Sequence, residues 1–172
     1  MPQLNSDIAS AVDTAVNPTG LIDEGIYLAR LDGAVEAKAG EKTTTWFWPF
    51  TLEADQPFAG RKIKHLTWLS EASYWRLKNT FDAFGVPTST DTDELEGRKV
   101  RLHIVQKEDY RGELDDEGLV KLVNDIKEIL PEAGSTGVDE AAKARRIKMR
   151  KAALESVASD SQVAGGDNEP LF

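Results

Sequence analysis

The sequence predicts a mainly-β fold: a small five-stranded barrel with one helix between its third and fourth strands, followed by a C-terminal helix and a disordered acidic tail. Three observations predict it. Segments between residues 25 and 108 are β-branched, aromatic or alternating in polarity, and turn residues bound them. Residues 70–86 switch instead to helical spacing. After Pro131 the composition changes to helix formers, then to small and acidic residues.

Residues 1–21 form an N-terminal arm, in which "SDIASAVDTAV" reads as a short helix capped by Ser6 and ended by "NPTG". "GIYLARLDGAV" alternates and reads as the first strand, and "AKAGEK" as a glycine-bearing turn. "TTTWFWPFTLE" is the strongest strand signal in the chain. After the turn "ADQPFAG", the segment "RKIKHLTWL" reads as the third strand. In "SEASYWRLKNTFDAFGV", Ser70 is placed to cap a helix. Tyr74, Leu77, Phe81 and Phe84 recur on one helical face, Gly85 stops the helix and Pro87 follows. "PTSTDTDELEG" is a polar loop. In the fourth strand, "RKVRLHIVQKE", Val100, Leu102 and Ile104 point one way, and Lys99, Arg101, His103 and Lys107 the other. "DYRGELDDEG" is an acidic hairpin loop. "LVKLVNDIKEIL" suits an amphipathic helix or a fifth strand. The strand is taken, because the fourth strand needs a hairpin partner and Pro131 ends the segment cleanly.

A helix between strands three and four of five suits a small closed barrel of the OB type over residues 22–131. Residues 132–158 are then a linker, "PEAGSTG", and a basic helix, "VDEAAKARRIKMRKAALESV"; residues 159–172 are the tail.

Composition removes several functions. No cysteine is present, which excludes disulfides, thiol catalysis and cysteine-based zinc sites. No apolar run approaches the roughly 18 residues of a membrane span, and no basic-then-apolar leader opens the chain, so no membrane association and a cytoplasmic location (that of a host cell, if phage-encoded) are expected. The two histidines, His65 and His103, fall on different strands, and no hydrolase, nucleotide-binding or metalloprotease motif occurs. The acidic run Asp115–Asp116–Glu117 reads as a solvated turn. No enzyme, metal or cofactor is expected.

What the strands do carry is the pairing that holds a single nucleic-acid strand: aromatic faces for bases, Lys and Arg for phosphates. Trp46, Trp48 and Phe50 share one face of the second strand and Phe47 takes the other. Arg61, Lys62 and Lys64 open the third strand, and Lys99, Arg101 and His103 stripe the fourth. Trp46, Trp48 and Phe50 are the expected stackers and those six residues the expected backbone contacts. The competing reading is that the aromatics fill the barrel, and Trp68 and Trp75 are assigned to the core.

In this order, "GIYLARL", the aromatic strand, "GRKIKHLTWLSEASYWRLKNTFDAFGV", "LEGRKVRLHIVQKEDYRGEL" and "VNDIKEILP" resemble a phage and prophage family of single-stranded DNA-binding proteins. The resemblance covers roughly residues 22–131 and rests on order and spacing. It implies an OB-like fold and a non-catalytic role in phage DNA replication or recombination. The acidic hairpin "GELDDEGLVKL" is an extension relative to that pattern.

The segment "GGDNEPLF" resembles the acidic tips of bacterial and phage single-stranded DNA-binding proteins, through Asp167, Glu169, Pro170 and Phe172, with Leu171 inserted. That likeness implies a hook for replication or recombination proteins. "NEPLF" also resembles a sliding-clamp-binding peptide. Two alternatives stay open for the barrel: a protein-interaction adaptor whose aromatic face binds a partner or a second copy, and a strand-annealing factor. The charge must be reconciled with DNA. The chain carries −9 overall, and residues 24–131 hold 15 basic and 20 acidic residues. The signs must therefore separate locally, acids in loops and bases on strands, with binding that weakens steeply in salt.

Overall fold

The computed structural model describes residues 5–7 and 20–163. The expected N-terminal helix falls almost wholly outside them, and Asp167, Glu169, Pro170, Leu171 and Phe172 entirely so.

One antiparallel sheet holds seven strands: β1 (Gly25–Leu31), β2 (Glu36–Ala39), β3 (Thr44–Leu52), β4 (Lys62–Trp68), β5 (Lys99–Glu108), β6 (Leu122–Leu130) and β7 (Gly137–Val138). β3 lies between β4 on one side and both β1 and β2 on the other; β1 leads on to β5, and β5 to β6. "AKAGEK" is thus more than a turn. Its first half is β2, which pairs Glu36–Ala39 with Phe47–Thr44, and the reversal is confined to Gly40–Thr43, where Gly40 N donates to Thr43 O at 3.0 Å. β1 and β2 are two halves of one bent path along β3. The bend contains Gly33, whose φ of 119° an L side chain adopts only with strain.

Alternation along the strands sorts the two faces. Tyr27, Ala29 and Leu31 of β1, Trp48, Phe50 and Leu52 of β3, and Val100, Leu102 and Ile104 of β5 all point into one core. "LVKLVNDIKEIL" is indeed a strand from Leu122, and contributes Ile126 and Ile129. β5 and β6 pair from Arg101–Leu130 out to Glu108–Leu122, with an irregularity between His103 and Ile104.

Helix α1 (Tyr74–Phe84) lies between β4 and β5 in sequence, as expected, and covers the core. Phe81 and Phe84 project into it; Phe84 stacks on Trp48 and Phe50 at 6.3 and 6.4 Å, and Phe81 meets Trp48 edge-on at 5.9 Å. Gly85 ends the helix in the left-handed conformation, φ 71°. Its start differs from expectation. A 3-10 turn, Glu71–Ser73, comes first, and the Ser70 hydroxyl bonds the Ser73 hydroxyl at 3.1 Å rather than capping the backbone. Tyr74 is consequently left on the surface.

The linker is also partly ordered into the sheet. β7 pairs with Gly25 and Ile26 of β1. Asp139 then caps helix α2 (Glu140–Val163), accepting from Ala142 N at 3.0 Å. α2 extends past residue 158, so the segment read as disordered tail begins as helix. Ion pairs spaced along one face hold α2 to the sheet: Lys143 to Asp23 at 3.1 Å, Arg146 to Glu24 at 3.2 Å, and Arg150 to Asp115 at 3.0 Å and also to Glu117. Those pairs consume two of the acids in the hairpin loop.

The sheet is open. Among the described residues no ladder joins β4 to β6, each of which pairs on one side alone, and closure of a five-stranded barrel is not seen.

Candidate nucleic-acid interface

Of the three expected stackers, two are buried and the third is half-buried. Trp48 is 0% exposed and Phe50 is equally buried, both covered by α1. The Trp48 indole donates to Thr67 Oγ1 at 2.9 Å, which satisfies a buried polar group on each side. Trp46 is half-buried, tilted against Trp48 at 5.9 Å. Trp46, Trp48 and Phe50 do share a face, as their spacing requires, but it is the inner one.

The outer face of the same strands carries the other set. Register places Phe47 opposite Leu66, Thr45 opposite Trp68, Pro49 opposite Lys64 and Thr51 opposite Lys62. On the other flank of β3, Lys38 lies opposite Thr45, and Glu36 opposite Phe47. Such pairs sit side by side on one face of a pleated sheet. Trp68 is 40% exposed and Leu66 38%, both large for residues with a core face available. Trp68, assigned from the sequence to the core, is therefore a surface residue, and so is Trp75 on α1, at 58%.

The cations sort by the same geometry. Lys62 and Lys64 are exposed on the outer face of β4, and neither they nor Lys38 has a carboxylate within ion-pair distance among the described residues. Residues 36–52 and 61–68 hold Lys38, Lys42, Arg61, Lys62 and Lys64 against Glu36 and Glu41. Bases outnumber acids on these strands although the chain as a whole is acidic. Arg61 differs from its neighbours: its guanidinium donates to Gly20 O, so it ties the N-terminal segment to the sheet.

The β5 stripe is not part of this surface. β3 and β1 stand between β4 and β5, so the two basic stripes are not on neighbouring strands. Lys99 lies 3.9 Å from Glu53, which also takes Arg30 at 3.2 Å. Arg101 donates to Pro131 O at 2.7 Å and Ser135 O at 2.9 Å, so its fork pins the linker. His103 is half-buried, opposite Glu128. Lys99, Arg101 and His103 thus serve the sheet and its linker; they do not converge on the aromatic face.

The alternation of Lys62, Lys64, Leu66 and Trp68 was present in the sequence as a same-face set. What it lacked was a sign of which face is inward. Ile63, His65 and Thr67, the inner set, are scarcely more apolar.

Among the described residues no group of acids and histidines is placed to hold a metal ion, and no helix is long and apolar enough to cross a membrane. No protein-family model matches this chain, and no curated protein does.

Proposed function

We propose that this protein binds single-stranded DNA without sequence preference, on the outer face of β2, β3 and β4. The observation that carries the reading is Trp68, exposed with Leu66 and beside the half-buried Phe47 on a face whose Lys38, Lys62 and Lys64 have no ion-pair partner among the described residues. Bases stack on the aromatic row and phosphates run along the lysines. In OB-type barrels the corresponding face, that of the second and third strands, takes oligonucleotides. β3 and β4 hold those positions if β1 and β2 are counted as one bent first strand, and the helix then falls between strands three and four. The barrel is of this type on our reading, with its seam between β4 and β6. A role in phage DNA replication or recombination belongs to the same proposal, with Asp167, Glu169, Pro170, Leu171 and Phe172 as the hook for partner proteins.

The test is a titration of intrinsic tryptophan fluorescence with oligo-dT at two salt concentrations. Quenching that saturates, and whose midpoint moves to higher DNA concentration in salt, is the expected result. Unchanged fluorescence and no comigration at low salt would leave the face to a protein partner or a second copy, which is the adaptor reading.

A further inference from the structure

The seam between the free edges of β4 and β6 contains a cavity of about 180 Å3, walled by His65, Trp75, Arg76, Asn79, Ile126 and Glu128. We propose that this slot receives one nucleobase of the bound strand, stacked against Trp75, so that the strand crosses the β3–β4 face and turns in over the free edge of β4. The inference rests on the single-stranded DNA reading and adds a site to it.

Size comes first. Sites for drug-sized ligands run to roughly 300–1,000 Å3. This slot is smaller and suits a single ring system. Its position follows from β4, where Lys64 and Leu66 face outward and His65, between them, faces the slot. A strand laid along the outer lysines passes the slot's rim.

The lining is matched to a base. Trp75 contributes nothing to the core, which α1 reaches through Thr80, Phe81, Ala83 and Phe84. The Arg76 guanidinium lies over one face of the Trp75 ring, 5.2 Å from its centroid, which leaves the other face for a base to stack on. The Asn79 side chain is at the surface with no hydrogen bond among the described residues, so its amide can both donate and accept. Burial pushes the His65 imidazole down to about 4; the Asp125 carboxylate pulls it up and Arg76 pushes it further down. His65 is therefore neutral near pH 7 and offers one N–H and one bare nitrogen. Ile126 supplies an apolar wall. A phosphate would meet Arg76 and Lys127 but also Glu128, and would leave the Trp75 ring and Ile126 uncovered; an apolar anchor from a protein partner would leave Asn79 and His65 unpaired. A base, with a π-face and a polar edge, satisfies both.

The test compares wild type, Trp75→Ala, Trp75→Phe and Trp68→Ala, each with unchanged thermal unfolding, for binding to oligo-dT and to an oligonucleotide bearing one 2-aminopurine. Loss of one stacked base weakens binding about 5–150-fold. Trp75→Ala is expected to lose affinity in that range and to abolish the 2-aminopurine quenching seen with wild type, while Trp75→Phe restores most of both. If Trp68→Ala weakens binding and Trp75→Ala does not, the slot takes no base and the DNA reading stands. If wild type binds neither oligonucleotide, both fail.

Discussion

Trp68→Ala is expected to weaken oligo-dT binding by about 5–150-fold, the loss of one stacked base, with little change in stability. Trp68 ends β4 on the outer face and is 40% exposed, so truncation removes contact area without opening the core. Lys62→Gln with Lys64→Gln acts on the other half of the interface. Each phosphate contact to a single strand contributes about 0.7 to the slope of log K against log salt. The double substitution should flatten that slope by about 1.4 as well as weaken binding. The same double change at Lys99 and Arg101 should leave the slope where it is, because Lys99 faces Glu53 and Arg101 is spent on Pro131 and Ser135. Equal effects at the two sites would show that the β4 face is not special.

Trp48→Ala is expected to cost about 3–5 kcal/mol of folding stability. Whole-domain stabilities run to about 5–15 kcal/mol, so this is a large share. The indole is fully buried, stacked on Phe84 and edge-on to Phe81. Its removal leaves a cavity where β3 meets α1, and takes away the partner of the Thr67 hydroxyl, itself 0% exposed. Urea denaturation reads this as a lower midpoint. Trp48→Phe should lose less and bind oligo-dT as tightly as wild type. A Trp48→Phe protein that folds normally and loses DNA affinity would restore Trp48 to the interface.

Much of the fold was legible because local chemistry and tertiary role agree. Strict alternation in "RKVRLHIVQKE" has one stable solution, Val100, Leu102 and Ile104 inward. Gly85 ends α1 where only a left-handed residue suits. The fifth strand could be chosen over a helix because its partner demanded one. Legibility failed where both faces of a strand are aromatic. "TWFWPF" buries Trp48 and Phe50 and leaves Phe47 half-buried on the opposite face, and only Phe81 and Phe84, some thirty residues on, decide which side is covered. Spacing alone therefore leaves open which aromatic face α1 covers. Short pairings were missed for a related reason: β2 and β7 carry no hydrophobic pattern of their own and exist because β3 and β1 offer free edges. Arg61 and Arg101 counted as interface residues from sequence because a cation's partner, here a backbone carbonyl far along the chain, leaves no trace in spacing.

The most direct measurement of where DNA lies is photo-crosslinking with an oligo-dT in which single thymines are replaced by 5-iodouracil, followed by mass spectrometry of the crosslinked peptides. Adducts at Phe47 and Trp68, within β3 and β4, that disappear in high salt are the expected result. Adducts concentrated on residues 99–103 instead, with none on β3 or β4, would contradict it.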